Sequence, residues 1–170
     1  MFWRMAKAIL ILPGSALIYI PMLLHWFSGH WPFGELATSV LQWSLAVALA
    51  IPALALAAQT VMLFVHEGEG TPAPWDPPRK FVTTGPYRYM RNPMLLAVVV
   101  LIFAEALAFN SAPLLGWGVV FFLLNTIYFA RFEEPGLLRR FGKDYAQYSA
   151  AVPRWVPRLR PYKPRPSGAR

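Results

Sequence analysis

The chain has 170 residues, of which 56% are hydrophobic and only 14% charged, too apolar for an average water-soluble domain and too short for several domains. It contains no cysteine, which excludes a disulfide framework, a thiolate metal site and a cysteine nucleophile. The net charge of +8 does not call for nucleic acid, because the basic residues flank apolar runs, where topology and attraction to anionic lipid account for them.

The N-terminal MFWRMAK has the basic start of a signal peptide, but no small-residue cleavage pattern precedes HWFSGH, so an uncleaved anchor is expected. Ala8 to Phe27 gives 20 mainly apolar residues, about 30 Å of helix, enough for the hydrocarbon core. Leu36 to Val65 is 30 residues long, so a kink near Pro52 and a protruding end are expected. His66, Glu67 and Glu69 then open a turn-rich loop, GEGTPAPWDPP. A metal held by His66 and the two glutamates is conceivable, but with no second histidine nearby no metal site is assigned.

The stretch GPYRYMRNP, Gly85 to Pro93, gathers two arginines and two tyrosines at the threshold of the next apolar run. Asn92 followed by Pro93 has the pattern of a helix start: asparagine accepts from free amides, and proline lacks one. Tyr87, Arg88, Tyr89 and Arg91 then sit at the membrane interface, either as an aromatic belt with basic anchors or as an anion site beside a positive helix end. Met94 to Phe109 and Ala112 to Ala130 are separated only by Asn110 and Ser111, which predicts an antiparallel helical hairpin. Glu105, inside the third span, is expected to face the bundle and to find a structural partner in Gln59, Asn125 or water.

Glu133 and Glu134 end the hairpin at the same level as Arg91, with a new helix expected from Pro135. A carboxylate at a helix C-terminus is disfavoured, so Glu133 needs compensation. That is either a salt bridge to Arg131, Arg139 or Arg140, or a ligand's hydroxyl or ammonium groups. Leu137, Leu138, Phe141, Tyr145, Tyr148 and Val152 recur at helical spacing, an amphipathic helix with a potential break at Gly142. A basic, proline-rich tail with Trp155 and Tyr162 follows as an extended interfacial segment.

Arg4 and Lys7, the loop with Arg79, Lys80, Arg88 and Arg91, and the tail all fall on one side of a four-span chain, while the loop between the first two spans has no Lys or Arg. The positive-inside rule makes that side cytoplasmic, so both termini are expected there, in an inner or plasma membrane. The residues thus predict an all-α integral membrane helical bundle of about four spans, with a C-terminal helical hairpin and a cytoplasmic amphipathic helix.

GPYRYMRNPM, EEPGLL, FGKDYAQY and VPRWVP, in that order, resemble the isoprenylcysteine carboxyl methyltransferase and phospholipid methyltransferase superfamily of integral membrane enzymes. The resemblance covers about Phe81 to Pro157. It implies one membrane domain over 1–170, with N-terminal spans at 8–65, a methyltransferase-like region at 81–157 and a basic tail at 158–170. It further implies an S-adenosylmethionine-dependent methyltransferase acting on a lipophilic acceptor, a carboxylate or an amine, at the cytoplasmic face among membrane lipids. Arg91, Asn92 and Glu134 would carry catalysis, and Arg91, Asn92, Pro93, Glu133 and Glu134 the cofactor pocket. Tyr87, Tyr145 and Tyr148 would flank the adenine or sulfonium, and Arg88 and Arg154 an anionic acceptor or lipid phosphate. The family often has histidine where Asn92 stands, and an aromatic residue near Leu95, so histidine-based proton transfer is not expected. The alternatives are an NADPH-dependent membrane reductase of related architecture, although no nucleotide-binding glycine motif is present, and a non-catalytic lipid-binding membrane protein.

Overall fold

A computed structural model describes residues 2–28, 39–69, 71 and 78–163. The outer loop with His30, most of GEGTPAPWDPP and the tail from Pro164 lie outside the described residues. Every regular element among those described is helical.

The first apolar run is one helical rod in two parts. Helix α1 (Phe2–Gly14) passes through a wide π turn, Ser15–Tyr19, into α2 (Ile20–Ser28). Pro21 lacks the N–H that would bond back into this turn, and Ile20 N–H instead reaches Ser15 O. The wide turn leaves the Ala16 carbonyl open to an outside donor, the Trp117 indole N–H at 3.0 Å. Helix α3 (Val40–His66) has 27 residues, about 40 Å of rise, and continues unbroken past Pro52 where a kink was expected.

Helices α4 (Pro93–Ala108) and α5 (Ala112–Tyr128) form the predicted hairpin. Asn110 takes the left-handed conformation (φ 46) that asparagine tolerates, and Ser111 caps α5 by accepting from Leu114 N–H at 3.4 Å. Helix α4 is the hub: α3 packs along it, α5 lies against another side, and the π turn of the first rod against a third. Accordingly α4 is apolar all round and buries Ala97, Val98, Val99, Leu101, Ile102, Ala104 and Ala106. The outer helices show the inverse, with Leu23, Trp26, Leu41, Leu54, Leu115 and Leu124 exposed for contact with lipid tails. Three helical runs, starting at Leu10, Val40 and Ala112, are long and apolar enough to span a membrane, and the 16-residue α4 is buried among them. The protein is an all-α membrane bundle.

The end of the hairpin differs from expectation. Instead of stopping before Pro135, α5 runs through a second π turn, Phe129–Glu133, into α6 (Glu134–Ala151), with Glu134 N–H bonded to Phe129 O. Pro135 cannot donate to the turn before it, and the wider turn absorbs the missing bond. Glu133 and Glu134 therefore lie within a continuous rod, and the expected penalty of a helix C-terminus does not arise there. The amphipathic α6 does break at Gly142, whose φ of 51 and ψ of −123 strongly favour glycine.

Among the described residues no hydrogen bond joins Glu105 to Gln59 or Asn125, two of the partners expected for it. Glu105 Oε2 is buried without a partner, Gln59 is exposed, and Asn125 Nδ2 donates to its own helix at Phe121 O, 2.8 Å away. The neighbouring amides pair with each other instead, Gln42 Nε2 donating to Asn110 Oδ1 at 3.2 Å.

Candidate functional site

Three stretches distant in sequence meet at the basic end of the bundle. The first is the short 3-10 turn Gly85–Arg88 with Tyr89 to Asn92, leading into α4. The second is the π turn and α6. The third is an extended strap, Val152 to Tyr162, which runs back beside the first: Pro153 O accepts from Arg91 N–H at 2.9 Å, Tyr89 O from Arg158 N–H at 3.0 Å, and Arg88 O from Tyr162 N–H at 2.8 Å. An aromatic cluster seals the junction. Tyr145, Tyr148 and Val152 are buried against Phe81, Leu137, Phe141 and Tyr162, with the Phe81 ring 5.0 Å from Phe141. Tyr148 Oη donates to the Tyr87 carbonyl at 2.7 Å, tying α6 to the turn before α4.

Within this frame lies a cavity of about 760 Å³. Its polar end is lined by Tyr87, Arg91, Asn92, Glu133, Glu134, Tyr145 and Tyr148, and its apolar arm by Leu12, Leu17 (α1 and the π turn), Leu54, Ala58, Val61 (α3), Val98 and Leu101 (α4), and Phe121 (α5).

The two glutamates have opposite situations. Glu134 Oε1 forms an ion pair with Arg91 Nη1 at 2.9 Å and accepts from Arg154 Nε at 2.7 Å, while Oε2 accepts from Arg154 Nη2 at 2.9 Å. Among the described residues Glu133 has no ion pair within 4.0 Å: the expected bridge to Arg131, Arg139 or Arg140 does not form, and Arg140 acts on it only at longer range. The Arg140 guanidinium donates to Pro78 O and lies 5.1 Å over the Phe141 ring. Donating to Glu134 lifts the Arg154 guanidinium above its ordinary value against the opposing effect of burial.

Besides Trp155 Nε1 on the strap, two atoms that border the cavity at this end are unsatisfied. Arg91 Nε and Asn92 Nδ2 are buried without a partner, beside the cavity they line. The helix-start reading of Asn92 is half right: Pro93 occupies the first turn and Asn92 O accepts from Leu96 N–H at 3.0 Å, but the side chain caps nothing. Its φ of −124 and ψ of 55 leave the amide without a helical N–H to cap. Burying an unpaired donor costs about 1–3 kcal/mol, so two of them side by side suit a ligand that accepts hydrogen bonds.

Other predicted positions are placed differently. Pro93 is buried at the start of α4 and does not border the cavity. Arg88 and Arg154 are not part of the lining: Arg88 Nε donates to Tyr162 O at 3.0 Å, and Arg154 reaches Glu134 from behind. Tyr87 is buried against Phe64 at 5.5 Å, and burial, then Tyr148, hold its phenol well above the usual range. Sequence reasoning missed Phe81 and Asn125, which line the cavity without belonging to any motif. Near the loop, Glu67 accepts from the Thr84 hydroxyl and Glu69 pairs with Lys80. Among the described residues no three metal-ligating side chains cluster.

Residues 43–144 match the family model for phospholipid methyltransferase, a span that takes in nearly all of α3, the motif-bearing turn, the hairpin and the first part of α6, and stops before the strap. No curated protein and no solved structure gives a match. Because the matched span covers more than half of the chain, the chain belongs to the phospholipid methyltransferase family of membrane methyltransferases.

Proposed function

We propose that the protein is an S-adenosylmethionine-dependent methyltransferase that modifies a lipophilic acceptor at the cytoplasmic membrane face. The observation that carries this reading is the cavity itself, one end polar with orphan donors and the other an apolar slot between α1, α3 and α4. A polar cofactor and a lipid chain require those two environments in one continuous space.

The donor set fits the cofactor. Arg91 Nε and Asn92 Nδ2 suit the carboxylate of its amino-acid end. Glu133, the carboxylate without an arginine, suits the ammonium or the ribose diol. Tyr87 and Tyr145, lining the same end, offer ring faces to the adenine or to a sulfonium cation. When bound, S-adenosylmethionine supplies an electrophilic methyl group on a positively charged sulfur.

The residues of the chain then have little covalent work. The apolar arm holds the acceptor's chain and directs its polar head toward the arginine and glutamate end, converting an encounter in two dimensions into a fixed approach. The aromatic seal of Phe81, Phe141, Tyr145 and Tyr148 keeps bulk water from the polar end. An acceptor carboxylate is already ionised near neutral pH and needs no base, whereas an ammonium acceptor must lose a proton before transfer.

The test is direct binding of S-adenosylhomocysteine to the full chain in nanodiscs, measured by calorimetry beside Arg91→Ala and Asn92→Ala variants checked for helicity. Saturable binding to wild type, weakened in both variants, is expected. A folded wild type that binds NADPH and not S-adenosylhomocysteine would overturn the reading in favour of a reductase.

A further inference from the structure

We propose that Arg154 is a positioning residue: by engaging Glu134 it leaves Arg91 with uncompensated positive charge, and so creates the subsite for the ligand's carboxylate. This rests on the cofactor reading above and extends it to a residue that lies outside the family match and does not border the cavity.

The geometry is asymmetric. Arg154 meets Glu134 with two prongs, Nε to Oε1 at 2.7 Å and Nη2 to Oε2 at 2.9 Å, while Arg91 contributes one contact, Nη1 to Oε1 at 2.9 Å. A two-pronged guanidinium saturates a carboxylate in its own plane and dominates its charge. Two arginines on one glutamate leave the cluster with one net positive charge. Arg91 faces the cavity, with its Nε buried and unpartnered. Without Arg154, Glu134 would have Arg91 as its sole partner within ion-pair distance, and the cluster would be neutral.

Glu133 supplies the complementary sign. It borders the same cavity and is not part of the cluster, so the polar end presents a positive subsite at Arg91 and Asn92 and a negative one at Glu133. That pattern matches an amino-acid zwitterion better than it matches a simple anion. It holds only while Arg154 occupies Glu134.

The strap explains how an arginine so far along the chain arrives there. Three backbone hydrogen bonds join residues 88–91 to Pro153, Arg158 and Tyr162, and Val152 is buried in the aromatic cluster. Arg154 is thereby delivered from a segment with no regular structure, beside the same Arg91 whose N–H the strap accepts.

The experiment compares two ligands on the full chain in nanodiscs: S-adenosylhomocysteine, which has the amino-acid carboxylate, and 5′-methylthioadenosine, which lacks it. Arg154→Ala is expected to weaken the first about tenfold or more, equivalent to about 1.4 kcal/mol, and to leave the second unchanged. Glu134→Gln/Arg154→Ala removes both charges, again leaves Arg91 uncompensated, and is expected to recover most of the loss. Arg154→Lys keeps the charge without the two prongs and is expected to fall between wild type and Arg154→Ala. Equal weakening of both ligands by Arg154→Ala, or no recovery in the double variant, would assign Arg154 a merely structural role and overturn the proposal. If wild type binds neither ligand, the cofactor reading itself fails and this proposal with it, an outcome distinct from wild-type binding that Arg154→Ala does not alter selectively.

Discussion

The two ends of α4 are built on opposite terms. At its start, Arg91 and Asn92 are surrounded by groups from α6 and the strap, with ion pairs, backbone bonds and an aromatic seal within one small region. Toward its far end Glu105 buries an oxygen with no partner, and beyond the helix Asn110 accepts a single amide contact from Gln42. A charge in an apolar helix is costly at either end, yet only one end carries compensation from several directions. Charged groups at the first end are paired across several elements, whereas the carboxylate at the second buries an oxygen that finds no partner.

Arg91→Ala tests the difference most severely. It removes a ligand donor and one of two partners of Glu134, so methyl transfer is expected to fall about a hundredfold, as for a lost charged hydrogen bond. The thermal stability loss should stay near 2 kcal/mol, below that for an orphaned buried charge, because Arg154 still holds Glu134. Gly118→Leu probes the packing between the two ends. A Cβ at Gly118 would lie 2.8 Å from Phe103 Cε1, so the Phe103 ring or the helix pair must shift, at a cost of about 1–3 kcal/mol in thermal unfolding.

Tyr148→Phe removes the buried hydroxyl that ties α6 to the Tyr87 carbonyl and is expected to cost about 1 kcal/mol, with limited proteolysis of the strap rising in parallel. At the far end, Glu105→Gln is expected to raise the unfolding midpoint slightly or leave it within about 0.5 kcal/mol, since a neutral amide costs less among apolar helices. A loss as large as that of Arg91→Ala would break the comparison.

The smallest effect concerns pH. The Tyr87 phenol is raised from its ordinary value of 10.0, chiefly by burial. A raised group gives stability that is complete below the unfolded value and is lost as pH rises above it. Melting curves should therefore be insensitive to Tyr87 up to about pH 9 and fall above pH 10, less steeply in Tyr87→Phe, which keeps the carbonyl that Tyr148 uses.

Much of the site was legible in the order of the residues. GPYRYMRNP and the paired glutamates sit at matching ends of a hairpin whose two-residue link leaves no other arrangement, so their meeting followed from connectivity. Asn92 was read correctly as a helix boundary and incorrectly as a side-chain cap, because the backbone angle of that residue depends on the strap and α6 packed beside it. The new helix does begin within one residue of Pro135, but the span before it does not end: proline forbids one hydrogen bond and does not say whether the chain stops or widens its turn.

The sequence by itself determined the membrane class, the approximate spans, the hairpin and the level at which the charged residues lie. Each of these follows from local composition, and a hydrocarbon solvent enforces composition strongly. Only the tertiary structure decided which glutamate is paired. Glu133 and Glu134 are adjacent and chemically identical, and a rotation of one residue along the rod turns one toward Arg91 and Arg154 and leaves the other facing the cavity alone. Such choices belong to the packing of side chains that arrive from distant parts of the chain, and no local pattern encodes them.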